Sequence, residues 1–330
     1  MKRVLYGCGL MLMMASTWSG LGTARALEIG HPSLNILGNV ALILGALLCV
    51  VGLCVGRRKR PKSRWEKDEE KWWQRVDLAK ILGRKKMWLE WGISVLLIVI
   101  SVPVSLFLFG MRPFPATDLG LTVPEGISHQ ESANFITLSP EEPSSRGFIF
   151  YPGGKIDPQS YINILGRVGQ ECQCHIFIVK PPFNIAIFAN RAVDEIIDTH
   201  PHVNHWSLGG HSLGGVVAAY NSGFISHEGA LVLWASYPNK PVVKKGITML
   251  AIYGELDDRV TKEDIANAEK YYPADAEIAY IQDADHESFG NYYATLPVDI
   301  TDASEKSEQE EIVKRTADIL RGDDAQSVSD

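Results

Sequence analysis

Between residues 205 and 220 a short apolar run, Trp206-Ser207-Leu208, leads through Gly210-His211-Ser212-Leu213-Gly214 into a string of small residues that suits a helix. A G-x-S-x-G sequence in that setting puts its serine on a strained strand-to-helix turn. The flanking glycines let the backbone pass closely and leave the hydroxyl standing free. Such a turn needs a buried strand before it and a helix packed behind it. It therefore ties this stretch to a helix-covered sheet and makes Ser212 a candidate nucleophile.

A serine nucleophile requires a base. Two histidines follow Ser212: His227, only 15 residues on with no strand and acid-bearing turn between, and His286, which comes after the strand-like run Glu277 to Gln282. His286 is the expected base. Ile247 to Gly254 reads as a further strand, with Glu255, Asp257 and Asp258 at its end. Any of the three could accept the second imidazole N–H and fix its tautomer, and periodicity does not choose among them. The oxyanion created by attack needs preorganised donors. One is the N–H of Leu213. The other is expected from the loop Pro152-Gly153-Gly154-Lys155, after the apolar strand Phe148 to Tyr151.

Strand patterns near 134–139, 147–151, 175–180, 205–210, 230–235, 247–253 and 276–282 alternate with helical patterns near 158–170, 190–199, 213–224, 262–271 and 305–321. This alternation predicts an α/β architecture, a mostly parallel sheet with helices on both faces. In the last helix Ile312, Thr316, Ile319 and Leu320 form the inward stripe. A helix and two strands already fill the 44 residues from Ser212 to Leu256, so no large cap domain is expected and the site should be open.

Several stretches carry a resemblance: FIFYPGGKIDPQSY at 148–161, VKPPFNIAIF at 179–188, HWSLGGHSLGGV at 205–216, LWASYP at 233–238, IYGELDDRV at 252–260 and DADHESFGNY at 283–292. In this order they resemble the α/β-hydrolase superfamily, and within it the α/β hydrolase fold-5 branch, which is similar to dienelactone-hydrolase-like esterases. The resemblance spans about 130 to 322 and implies an α/β-hydrolase fold. It implies a hydrolase but supplies no substrate; together with Ser212, His286 and the expected oxyanion donors it predicts a serine hydrolase that cleaves an ester-type acyl bond through an acyl-enzyme without a cofactor, and the open site points to a small-molecule or lipid-like ester. A GxxDxxV element of the family maps onto Gly254, Asp257 and Val260, which favours Asp257 over its two neighbours. The family's histidine block resembles GNHAQFG. This chain departs from it, with Asp285 before His286 and Glu287 after, and two extra acids there are expected to move the pH optimum upward. By position in the matched stretches, Phe183, Asn184, Phe289 and Tyr292 are candidate pocket walls. The competing expectation is a catalytically inactive hydrolase-fold module that binds a ligand or partner at a membrane.

The remaining chain points to a bilayer. Residues 1–26 have a basic start, an apolar middle and a small-residue end, the pattern of a signal peptide or first membrane segment. Residues 33–56 and 91–111 are long apolar runs expected to span a membrane. Between them, 57–90 holds thirteen Lys and Arg, which predicts a cytoplasmic loop and places the catalytic domain outside the cytoplasm. Tryptophans interleaved with these charges suggest an interfacial amphipathic stretch at 69–82. A linker is expected at 112–129 and a disordered acidic tail at 323–330. From 111 onward the net charge is about −16, which disfavours a nucleic-acid partner. Cys172 and Cys174 are expected either as free thiols or as a labile disulfide. His200, His202 and His205 lack a carboxylate or cysteine to complete a metal site, so none is expected.

Overall fold

The computed structural model describes residues 2–21, 32–56, 78–110, 113–227, 229–242, 247–294 and 307–322. Most of the expected amphipathic stretch at 69–82, the basic loop as far as residue 77 and the acidic tail lie outside the described residues. The chain divides into two compact units, an N-terminal helical one and a C-terminal one from Pro113 onward.

The first unit contains α1 (Lys2–Leu21), α2 (Pro32–Gly56) and α3 (Leu78–Gly110), the last with Pro103 inside it. Ala15, Ala41 and Leu108 bury against one another there, flanked by Leu37 and Val104. Among the described residues, one stretch, Trp88–Leu108, is long and apolar enough to cross a membrane; Val4–Ala15 and Asn39–Val51 are apolar but shorter. Leu96, Val99 and Leu106 on α3 stand exposed, where an aqueous setting would disfavour them.

The second unit is built on an eight-stranded sheet: β1 (Ile127–Glu131), β2 (Phe135–Pro140), β3 (Arg146–Tyr151), β4 (His175–Val179), β5 (His205–His211), β6 (Ala230–Trp234), β7 (Thr248–Gly254) and β8 (Glu277–Ile281). The spatial order is β1-β2-β4-β3-β5-β6-β7-β8. β2 pairs antiparallel with both β1 and β4, and every other neighbour pair is parallel. Because side chains alternate across a strand, β3 feeds two cores: Phe148 and Phe150 on one face, Ile149 and Tyr151 on the other. The first face is covered by α4 (Ile162–Cys172) and α8 (Ser307–Arg321). The second is covered by α5 (Ala192–Thr199), α6 (Leu213–Tyr220) and α7 (Lys262–Ala268). On α8 the buried stripe includes Ile312, Thr316 and Leu320 as expected, and Val313 and Ala317 as well; Trp234 Nε1 donates to Thr316 Oγ1 at 3.0 Å.

One local feature differs from the sequence reading. The expected linker, 112–129, ends inside strand β1 and before it holds a segment hydrogen-bonded to the loops that follow β3 and β8. β1 reads ISHQE with four exposed residues, an edge strand too polar to carry an apolar alternation. Cys172 and Cys174, expected as free thiols or as a disulfide, are joined in a disulfide at the end of α4.

Candidate active site

β3, β5, β7 and β8 run parallel, so the loops after them emerge at one edge of the sheet, where catalytic groups of open α/β sheets collect. Ser212 follows β5 with φ 51° and ψ −123°, a left-handed backbone that a non-glycine residue adopts only when its surroundings hold it there. Those surroundings are visible. Ser212 N–H donates to Trp234 O at 2.9 Å, and Ser236 Oγ donates to Ser212 O at 2.6 Å. The glycines of the motif are obligatory: a Cβ on Gly214 would lie 2.0 Å from Tyr151 O, and one on Gly210 2.5 Å from the Gly214 carbonyl carbon. Without side chains there, α6 packs directly on β3 and β5.

His286 opens a short 3-10 turn, His286–Phe289, after β8 and is almost wholly buried. Its Nδ1 lies 2.9 Å from Asp257 Oδ2. An ionised carboxylate only accepts, so Nδ1 carries the proton and the Nε2 lone pair is left to act as a base. Asp257 Oδ1 in turn accepts the N–H groups of Arg259 at 2.8 Å and Val260 at 2.9 Å. Burial pushes the Asp257 carboxyl up, but these three hydrogen bonds outweigh it and hold its pKa below the usual carboxylate range. Glu255 and Asp258 are exposed, so of the three acids at this strand end Asp257 is the one brought to the histidine. The two acids flanking His286 are occupied elsewhere: Glu287 is ion-paired with Arg259, and Asp285 Oδ1 accepts from Ser288 Oγ at 2.9 Å.

The expected oxyanion loop is narrowed by its own hydrogen bonds. Gly153 N–H donates to Tyr161 Oη at 3.0 Å, and Lys155 N–H donates to Asn184 O at 2.7 Å. Gly154 N–H has no protein acceptor among the described residues, and a Cβ added at Gly154 would meet the Leu213 side chain at 3.4 Å. Leu213 is the first residue of α6, where an N–H has no partner within the helix. Leu213 and Gly154 thus offer one open donor each, from two adjoining segments.

Residues 147–309 match the family described as "Alpha/beta hydrolase family". The domain belongs to the α/β-hydrolase family. Solved structures similar to it include carboxyl esterase 2 of the mycorrhizal fungus Tuber melanosporum, at 13% identity and TM-score 0.48, covering 64% of this chain and 91% of that one. An esterase of Pyrobaculum calidifontis is similar at 13% identity and TM-score 0.45, covering 62% and 87%. A predicted CIB-like hydrolase from Thermoplasma acidophilum matches at 15% identity and TM-score 0.44, covering 59% and 99%. No curated protein matches the chain.

In the hydrolase domain the four candidate wall residues divide. Phe183 and Tyr292 are partly exposed, whereas Asn184 and Phe289 are fully buried. Phe289 lies beneath the site, its ring stacked on His211 at 5.7 Å and tilted against Trp234 at 6.2 Å. A cavity of about 360 Å³ beside the end of β4 is lined by Pro182, Phe188 and Arg191 among others, and by none of the four.

Two buried groups escaped the sequence reading. His211, the variable residue of the elbow motif, has its ring 4.8 Å from that of His286. Gly153 N–H supplies the Tyr161 oxygen, so the phenol's own proton is directed to His211 Nδ1, 2.9 Å away. Burial, then the neighbouring His286, holds the His211 pKa well below the usual imidazole range, so it stays neutral with its proton on Nε2. Both residues lie in the matched stretches, and their histidine and tyrosine identities were the available signal.

Proposed function

We propose that the hydrolase domain is a serine hydrolase acting on ester-type acyl bonds. Ser212 Oγ attacks the acyl carbonyl while His286 Nε2 takes its proton, and the N–H groups of Leu213 and Gly154 hold the oxyanion. Collapse of the tetrahedral intermediate expels the alcohol, protonated by His286, and leaves Ser212 acylated. Water, deprotonated by the same imidazole, then releases the acid. Asp257 keeps His286 in the productive tautomer and stabilises the imidazolium. The carrying observation is the Asp257–His286 hydrogen bond at 2.9 Å, with that imidazole beside His211, the residue preceding Ser212.

The substrate is a small or protruding ester, because the chain between Ser212 and Asp257 leaves no room for a large cap. The apolar stretch Trp88–Leu108 anchors the protein in a bilayer, and the basic run before it retains that end in the cytoplasm, so that the hydrolase domain lies outside. The Cys172–Cys174 disulfide supports this placement, since such bonds persist in oxidising compartments.

A fluorophosphonate probe applied to the full chain in membranes tests the chemistry. Labelling of wild type that disappears in Ser212→Ala is expected; a folded wild type that takes no label would leave a binding module as the reading. Protease shaving of intact cells tests the orientation, and a protected hydrolase domain would reverse it.

A further inference from the structure

We propose that Phe114–Gly120 is a positioning element of the active site, a strap that fixes the oxyanion loop relative to the histidine loop; this rests on the serine-hydrolase reading above. At one end Phe114 N–H donates to Lys155 O at 2.8 Å and Asp157 N–H donates to Phe114 O at 3.0 Å, a parallel bridge centred on Ile156. At the other, Thr117 N–H donates to Asn291 O at 2.9 Å and Tyr293 N–H to Pro115 O at 3.0 Å, an antiparallel bridge between Ala116 and Tyr292. Side chains reinforce both ends. The Phe114 ring lies 6.1 Å from that of Tyr292 and has Lys155 Nζ 5.1 Å over its face. Thr117 Oγ1 donates to Asn291 O at 3.3 Å and accepts Gly120 N–H at 3.1 Å.

The sequence prepares the segment for this role. Pro113 and Pro115 fix their own φ, and the residue before a proline is driven to extended backbone, so Phe114 is held in the conformation a bridge requires. The need for a tie follows from the sheet. β3, which delivers the oxyanion loop, and β8, which delivers His286, are four strand spacings apart, about 19 Å at the usual inter-strand distance. Donor and base must nevertheless keep a fixed separation, because a misplacement of about 1 Å costs on the order of a hundredfold in rate. The strap closes that gap with main-chain hydrogen bonds to both loops at once.

The test uses the full chain carrying Phe114→Ala with Thr117→Val, assayed with 4-nitrophenyl acetate and by amide hydrogen exchange. The strap predicts a kcat lower by about tenfold to a hundredfold with KM little changed. It also predicts faster exchange at Asp157 and Tyr293 together, the two loop amides that donate to the strap, and recovery of kcat when Phe114→Tyr replaces Phe114→Ala. A double variant that keeps kcat within about twofold of wild type, or one whose two loop amides stay as protected as before, overturns the proposal. If the double variant does not fold, Thr117→Val alone is judged on the same readouts. The exchange measurement needs no catalysis, so an unlabelled wild type would overturn the hydrolase reading while leaving the strap to be decided separately.

Discussion

Asp257 receives the Nδ1–H of His286 on one carboxylate oxygen at 2.9 Å and two main-chain N–H groups on the other, which leaves it oriented on every side. Asp257→Asn keeps the shape but offers an amide N–H where an acceptor was, which favours the wrong imidazole tautomer. The expected loss in kcat is about 10³- to 10⁴-fold, against little change for Glu255→Gln or Asp258→Asn. Steady-state kinetics of the three variants decides, and an active Asp257→Asn enzyme refutes the assignment. The same carboxyl titrates lower in the folded protein than in the unfolded chain, so its stabilisation is present above the unfolded value and fades as pH falls through the folded one. Wild type and Asp257→Asn should therefore converge in melting temperature in acid.

Ser212 at φ 51° stores backbone strain that glycine would not feel. Ser212→Gly is expected to abolish turnover and raise stability by about 1 kcal/mol. Thermal unfolding checks this; an unchanged or lower melting temperature would mean that the hydroxyl, rather than the backbone, dominates the energetics of the turn.

Tyr161 joins Gly153 N–H to His211 Nδ1 in the buried layer beneath the site. Tyr161→Phe leaves both of those partners unsatisfied, a cost of about 1–3 kcal/mol for each buried group. Lower stability together with reduced kcat is expected, because the freed Gly153 amide loosens the loop that carries Gly154. Denaturant melts alongside kinetics separate the two effects.

Asp157, buried beside the strap, has its carboxyl pushed up to about 7, mainly by burial and further by Glu131, against the pull of Gln159 N–H and Lys180. An acid with a raised folded-state pKa keeps its proton after the unfolded chain has lost one. Its stabilisation is therefore complete below about pH 4 and declines as pH rises to about 7. Asp157→Asn, which can still accept Gln159 N–H, should melt progressively higher than wild type between those limits. Parallel curves for the two proteins across that range would contradict the raised value.

The elbow was legible because everything that defines it lies within a few consecutive residues: a strand, two glycines that must lack a Cβ, and a helix of small side chains. Asp257 was less so. Its strand end carries three carboxylates, and in sequence only the spacing of Gly254, Asp257 and Val260 in the resembling family favours one, whereas the fold sets it against His286. Main-chain bookkeeping was beyond sequence altogether. Which of Gly153, Gly154 and Lys155 keeps a free N–H depends on Tyr161 and on the carbonyl of Asn184, and neither contact leaves a trace in local pattern. Phe289 illustrates a further limit, since an aromatic in a matched motif reads the same whether it lines a pocket or underpins a histidine. The Thr117–Asn291 pairing spans 174 positions, and β1 is polar along most of its length, so neither offered a periodicity to detect.

The Cys172–Cys174 bridge encloses only Gln173, in a left-handed turn that already caps α4 through a main-chain bond to Gly169 O. So small a ring removes little freedom from the unfolded chain, under about 2 kcal/mol by loop entropy. The dithiol form can consequently reach the same architecture on its own. Reducing the bond is therefore expected to leave the fold and most of its stability in place.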